Sequence, residues 1–98
     1  MEENNLHIEE KLKDFLNSYD FMRLGQAIAQ GNQNMAMMIV SHLQQAAQEA
    51  GVAEQFGMNL QGIRQCVIGR DMKQAQDILA VVTAKRVKLI NDREEKKA

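Results

Sequence analysis

The stretch that decides the fold is MAMMIVSHLQQAAQEA, Met35 to Ala50. It holds no proline or glycine and is built largely from Ala, Met, Leu and Gln, all good helix formers. Wound at about 100° per residue, Ala36, Ile39, Val40, Leu43, Ala47 and Ala50 fall on one narrow stripe, which predicts the core-facing side. Met35, Met38, His42, Ala46 and Glu49 form a second row at helical spacing. Met37, Ser41, Gln44, Gln45 and Gln48 fill the remaining, mostly polar side. An ordinary surface helix needs one apolar stripe. This one carries a stripe and a half-apolar flank, so contact from two directions is expected.

On the N-terminal side, Ile8, Leu12, Phe15, Leu16 and Tyr19 make another stripe, with Asn4 or Asn5 as candidate caps. If that helix continued straight, Phe21, Leu24 and Ile28 would land on its opposite face. Asn17, Ser18 and Asp20 stand between the two stripes as turn or cap formers, which predicts a kink or break near Ser18 to Asp20. A second segment then runs from about Phe21 to Gln30 and stops at Gly31-Asn32, both tolerant of the left-handed conformation that ends helices.

C-terminal to the central helix, GVAEQFG (Gly51 to Gly57) reads as a connecting loop with Phe56 as its hydrophobic anchor. Leu60, Ile63 and Val67 define a short helix, with Cys66 beside the stripe. Gly69-Arg70-Asp71 closes it, and Asp71 is placed to cap a last helix carrying Met72, Ala75, Ile78, Leu79, Val82, Leu89 and Ile90 on one side. Arg86 and Arg93 fall in that same stripe, so the final turns leave the core or the arginine stems lie along its rim. Residues 92–98 are of mixed charge and are expected to fray.

The expected fold is therefore all-α: one domain over residues 1–98, four main helices as two antiparallel hairpins, with the first helix kinked or split. A faint internal repeat supports the pairing. Ala36, Ile39, Val40 and Leu43 match Ala75, Ile78, Leu79 and Val82 once a one-residue gap is allowed at the preceding glycine. Leu24-Gly25-Gln26-Ala27, Gly31-Asn32 and Ala36 resemble the first helix, turn and second helix of a tetratricopeptide repeat. In that family such small residues let paired helices approach closely, and membership would imply a peptide-binding helical scaffold. The resemblance covers about a third of the chain and departs from the family pattern. Its two glycines are one residue too close, Ile28 replaces the family's aromatic, and Gly69 and Ala75 are spaced differently. We read it as a shared way of packing two helices.

Composition narrows the function classes. The 98 residues carry 12 basic and 13 acidic side chains for a net charge of −1, a poor balance for holding nucleic acid by phosphate neutralisation. Proline is absent and aromatics make up 4%, which disfavours strands. Cys66 is the only cysteine, so no intramolecular disulfide can form. The opening MEENNLHIEEKLKD lacks the basic start and apolar run of a secretory signal, and no stretch approaches a membrane span. A cytoplasmic protein is expected.

No motif for chemistry emerges. His7 and His42 are the only histidines, and neither has a second ligand at metal-binding spacing, so no metal or other cofactor is expected. Cys66 beside Val67 and Ile68 reads as a small core residue. Ser18 and Ser41 have no nucleophile elbow, and the Glu9-Glu10 and Glu94-Glu95 pairs have no apolar pocket. Histidine phosphotransfer domains also place a His mid-helix in a bundle, but they follow it with a basic residue, whereas Leu43-Gln44-Gln45-Ala46 follow His42. Catalysis and small-molecule substrates are not expected.

What remains is the second row of the central helix. Met35, Met38, His42, Ala46 and Glu49 are the candidate partner-binding residues of a non-enzymatic interaction module, an adaptor or a self-associating bundle such as a homodimer. The alternative is an accessory protein touching nucleic acid through Lys85, Arg86, Lys88, Arg93, Lys96 and Lys97. Interleaved acids and the absence of stacking aromatics favour a solvated helix there.

Overall fold

Apolar stripes of opposite phase and glycine-bearing turns divide the chain into five helical segments. In the computed structural model, which describes the backbone of residues 2–97 and the side chains of residues 9–92, these are α1 (Glu2–Leu16), α2 (Asp20–Ala29), α3 (Gln33–Glu49), α4 (Ala53–Ile68) and α5 (Met72–Lys97). No strand occurs among the described residues, and the fold is the expected all-α bundle. The predicted split of the first helix falls at residues 17–19, leaving α1 and α2 as its halves. α1 begins at Glu2, ahead of the caps expected at Asn4 or Asn5. The tail expected to fray, 92–98, lies almost wholly outside the residues whose side chains are described, although helical backbone runs to Lys97.

The break follows from burial. Phe15 and Leu16 on α1 and Phe21, Leu24 and Ile28 on α2 are all buried, which a straight helix cannot achieve inside one core. Phe15 meets Phe21 edge-on at 5.3 Å between ring centroids, and Phe56 on α4 at 5.2 Å. Tyr19, expected on the α1 stripe, falls within the bend and is 79% exposed. Ile8, from the same stripe, lies outside the described side chains.

α2 to α5 form a closed ring: α3 packs on α2 and α4, α4 packs on α5, and α5 returns to α2, while α1 lies across α3 and α5. This differs from a tetratricopeptide arrangement. An added Cβ at Gly25 would lie 3.4 Å from Leu79 on α5, so its small size admits α5 rather than the paired helix α3.

All three ring turns use one hydrogen-bond pattern. Asn32 N–H donates to Ala27 O, Val52 N–H to Ala47 O and Asp71 N–H to Cys66 O, each spanning five residues, with a shorter bond one residue earlier. This is the Schellman arrangement, which needs a left-handed residue just past the helix. Gly31 (φ 68°) and Gly51 (φ 76°) supply it, but at the third turn Arg70 does (φ 60°). The expected stop at Gly69-Arg70-Asp71 is where α4 ends, with Gly69 as its last right-handed position, at φ −81°. Asn32 Oδ1 then accepts from Met35 N–H, and Asp71 Oδ1 from Gln74 N–H, as caps of α3 and α5. Counted from these caps, Ala36 and Ala75 are equivalent with no gap. The repeat is out of step only at its glycine.

One expectation is corrected along α4. GVAEQFG is not a loop: the turn is complete by Val52, and Gly57 lies inside α4. Phe56 is fully buried as expected, but as the first member of a helical stripe with Leu60, Ile63 and Val67. Helical phase therefore outweighs the cost of about 1 kcal/mol for an interior glycine. The core also takes Ala36, Ile39, Val40, Leu43, Ala47 and Ala50 from α3, and Ala75, Leu79 and Val82 from α5. No polar or charged residue among those described is buried.

Candidate functional site

α3 has neighbours on both flanks, and they divide its second row in two. Toward its C-terminal end, α1 and the start of α2 lie alongside. His42 Nδ1 donates to Asp20 Oδ2 at 2.6 Å, and Arg23 Nη1 donates to the other oxygen of the same carboxylate at 3.2 Å. Lys11 on α1 stands 3.8 Å from Glu49. Ala46 is half-buried beside the core. His42, Ala46 and Glu49 line a shallow groove with Lys11, Asp14 and Phe15. This half of the row is therefore turned toward the chain's own first helices. Lys11–Glu49 is exposed on both sides, and a pair of that kind stabilises by at most about 1 kcal/mol; in His42–Asp20 the imidazole is exposed and the carboxylate largely covered.

Toward the N-terminal end the row is open. Met38 is 58% exposed and Met35 36%. Met35 borders a second shallow groove between α2 and α3, with Arg23, Gln26, Gln30 and Ile39 also lining it. Of the five candidate residues, His42 and Glu49 are tethered to another helix by polar contacts, and Ala46 is half-buried, which leaves Met35 and Met38 as the open apolar pair.

The side read as polar faces α4. Ser41 Oγ accepts from Arg64 Nη1 at 2.8 Å, and Gln61 Oε1 accepts from Gln44 Nε2 at 3.0 Å. Gln33 Nε2 reaches the α4 C-terminus, donating to Val67 O, which also accepts the Arg70 N–H, and to Ile68 O. Met37, assigned to this side, is half-buried against the core, so it is the inward methionine of the three.

α5 spends part of its charge within the chain. Lys85 Nζ donates to Gln55 O and Asn59 Oδ1. Arg86 donates twice to Leu16 O, from Nη2 at 2.7 Å and Nε at 3.1 Å, and its guanidinium lies 4.0 Å over the Phe21 ring. Burial lowers its pKa from the ordinary arginine value. Its place in the apolar stripe signalled a rim position; nothing in sequence pointed to the Leu16 carbonyl. The side chains of Arg93, Lys96 and Lys97 lie outside the described residues.

Cys66 is half-buried on α4. Burial first, and then the Asp71 carboxylate, push its thiol pKa up, the reverse of what a nucleophile needs. His42 is bonded to Asp20 rather than to Cys66. Among the described residues no three His, Cys, Asp or Glu side chains converge to hold a metal ion, and no helix is long and apolar enough to cross a membrane. Compared with known protein families, curated proteins and solved structures, the chain matches none of them.

Sequence reasoning missed several exposed apolar side chains, among them Met22 and Met58, at 60% and 87% exposure. Neither belongs to a periodic row that would have marked it.

Proposed function

We propose that this chain is a non-enzymatic protein-interaction module that binds a partner protein, or another copy of itself, through the open end of α3. The observation that supports this reading is the pairing of Met35 and Met38, the two exposed large apolar side chains of α3. Methionine side chains are flexible and polarisable and suit a contact surface that must adapt. The α2–α3 groove beside Met35 adds amide and guanidinium donors from Gln26, Gln30 and Arg23 for orientation. His42, Ala46 and Glu49 serve in this reading as the edge of the surface rather than its centre, because they also engage α1 and α2.

The test is Met38→Glu, which places a charge at the middle of the surface without touching the core. Far-ultraviolet circular dichroism should be unchanged, while affinity-captured partners, or self-association seen by sedimentation velocity, should be lost. If the wild-type chain is a monomer and the variant keeps every captured partner, the reading fails.

A further inference from the structure

The bend between α1 and α2 contains no residue that enforces it. The chain has no proline, and residues 17–19 include no glycine and no positive φ. The residues on either side of Ser18 keep helical hydrogen bonding. Asn17 N–H donates to Lys13 O at the usual helical spacing, Tyr19 sits at φ −66°, ψ −15°, and Arg23 N–H donates to Tyr19 O. Ser18 departs from the pattern, with its N–H on Phe15 O and its Oγ accepting from Asp20 N–H. Two side chains therefore favour the bend locally: Ser18, and Asn17, whose Nδ2 donates to Lys13 O.

Straightened, α1 and α2 become one helix from Glu2 to Ala29. At about 100° per residue Leu12, Phe15 and Leu16 then face nearly away from Phe21, Leu24 and Ile28. α1 cannot reach its own bundle in that state, and its apolar stripe needs cover. We propose that this cover is the same α1 seat on a second copy of the chain, giving a reciprocal dimer in which the first helices are exchanged. The seat is specific because its contacts already exist in the protomer. Phe15 packs against Phe56 and Phe21, Arg86 donates to Leu16 O, and Lys11 stands beside Glu49. Exchange keeps all of these between copies and alters only the hinge. The proposal does not depend on the Met38 surface.

The experiment uses the full chain with Asn17→Ala and Ser18→Ala together, which remove both bend-favouring bonds and raise helix propensity. Two hinges straighten per dimer, so the dimer dissociation constant should fall about tenfold or more relative to wild type. An equal mixture of ¹⁴N- and ¹⁵N-labelled variant is unfolded, refolded together and cross-linked with a zero-length carbodiimide. Mass spectrometry of the dimer fraction should find Lys11–Glu49 peptides of mixed isotope, and the same dimer should form with Met38→Glu added. Exchange makes about half of these links mixed, because copies pair at random; a dimer fraction whose Lys11–Glu49 links are all same-isotope would mean that another face pairs the copies, and the exchange would be refuted. A folded variant that stays monomeric as concentration is raised would refute it equally. If the double variant loses its helical signal, Ser18→Ala alone carries the same two outcomes. Ser18→Gly should move the equilibrium toward monomer, and a shift toward dimer would also overturn the proposal.

Discussion

Replacing Arg70 with glycine should stabilise this protein. Arg70 holds the left-handed position of the third Schellman turn at φ 60°, where the two sister turns use Gly31 and Gly51. A side chain in that region costs roughly 1–2 kcal/mol from the clash of Cβ with the following carbonyl. Glycine removes that cost but widens the unfolded ensemble, which returns about 0.4–1 kcal/mol. Among the described residues Arg70 makes no hydrogen bond or ion pair that the change would sacrifice, and its side chain is exposed. The net gain is about 0.5–1 kcal/mol, or roughly 2–8 °C in Tm for a domain of this size. Differential scanning calorimetry measures it, with urea unfolding as a check that the m-value is unchanged. The mirror variants Gly31→Ala and Gly51→Ala should each lose about 1 kcal/mol, because they import the same clash. Gly69→Ala, at a right-handed position, should lose nothing. If Arg70→Gly lowers Tm, or Gly69→Ala proves more damaging than Gly31→Ala, the left-handed residue has been placed wrongly and the turn argument fails.

Gly57 is interior to α4 with open space where a Cβ would go, so Gly57→Ala should add about 0.8–1 kcal/mol of helix propensity and raise Tm; an unchanged Tm would favour a loop there. Arg86→Leu removes the guanidinium from the Phe21 ring and strands the Leu16 carbonyl, costing about 1.5–3 kcal/mol in urea unfolding, with Arg86→Lys costing less. Cys66 should react with iodoacetamide more slowly in the folded chain than in the urea-unfolded chain at neutral pH, since burial and then Asp71 raise its pKa. The same shift makes the unfolded thiol lose its proton first as pH rises. That stabilising contribution is therefore present below the ordinary thiol pKa and lost as pH climbs through the folded value, which alkaline unfolding of wild type against Cys66→Ala would detect.

Where a residue's fate depends on its own helix, the sequence was readable. The α3 stripe, the α5 stripe, the cap at Asp71 and the break before Asp20 all follow from phase and turn chemistry, and the structure has each of them. Gly57 misled because two glycines six residues apart resemble a loop, whereas Phe56, Leu60, Ile63 and Val67 keep helical phase through the second. Tyr19 and Met37 were misplaced for a related reason. A bend rotates Tyr19 off its stripe, and Met37 packs against the core from beside the α3 stripe, a position that depends on neighbouring helices which α3's own pattern does not encode. Arg70 was invisible as the left-handed residue because the glycine beside it is the more obvious choice. The candidate surface was only half legible. Periodicity located the row, but the Asp20–His42 and Lys11–Glu49 pairs that occupy its lower half join residues far apart in sequence.

The return of α5 onto α2 has an architectural consequence. Helical hairpins that leave a flank bare can be concatenated into superhelical arrays, each new unit docking on the last. Here the flank that would seat an incoming hairpin is filled by the chain's own final helix. Fused in tandem, copies of this domain should behave as separate beads on a string, and their melting temperature should not climb with copy number.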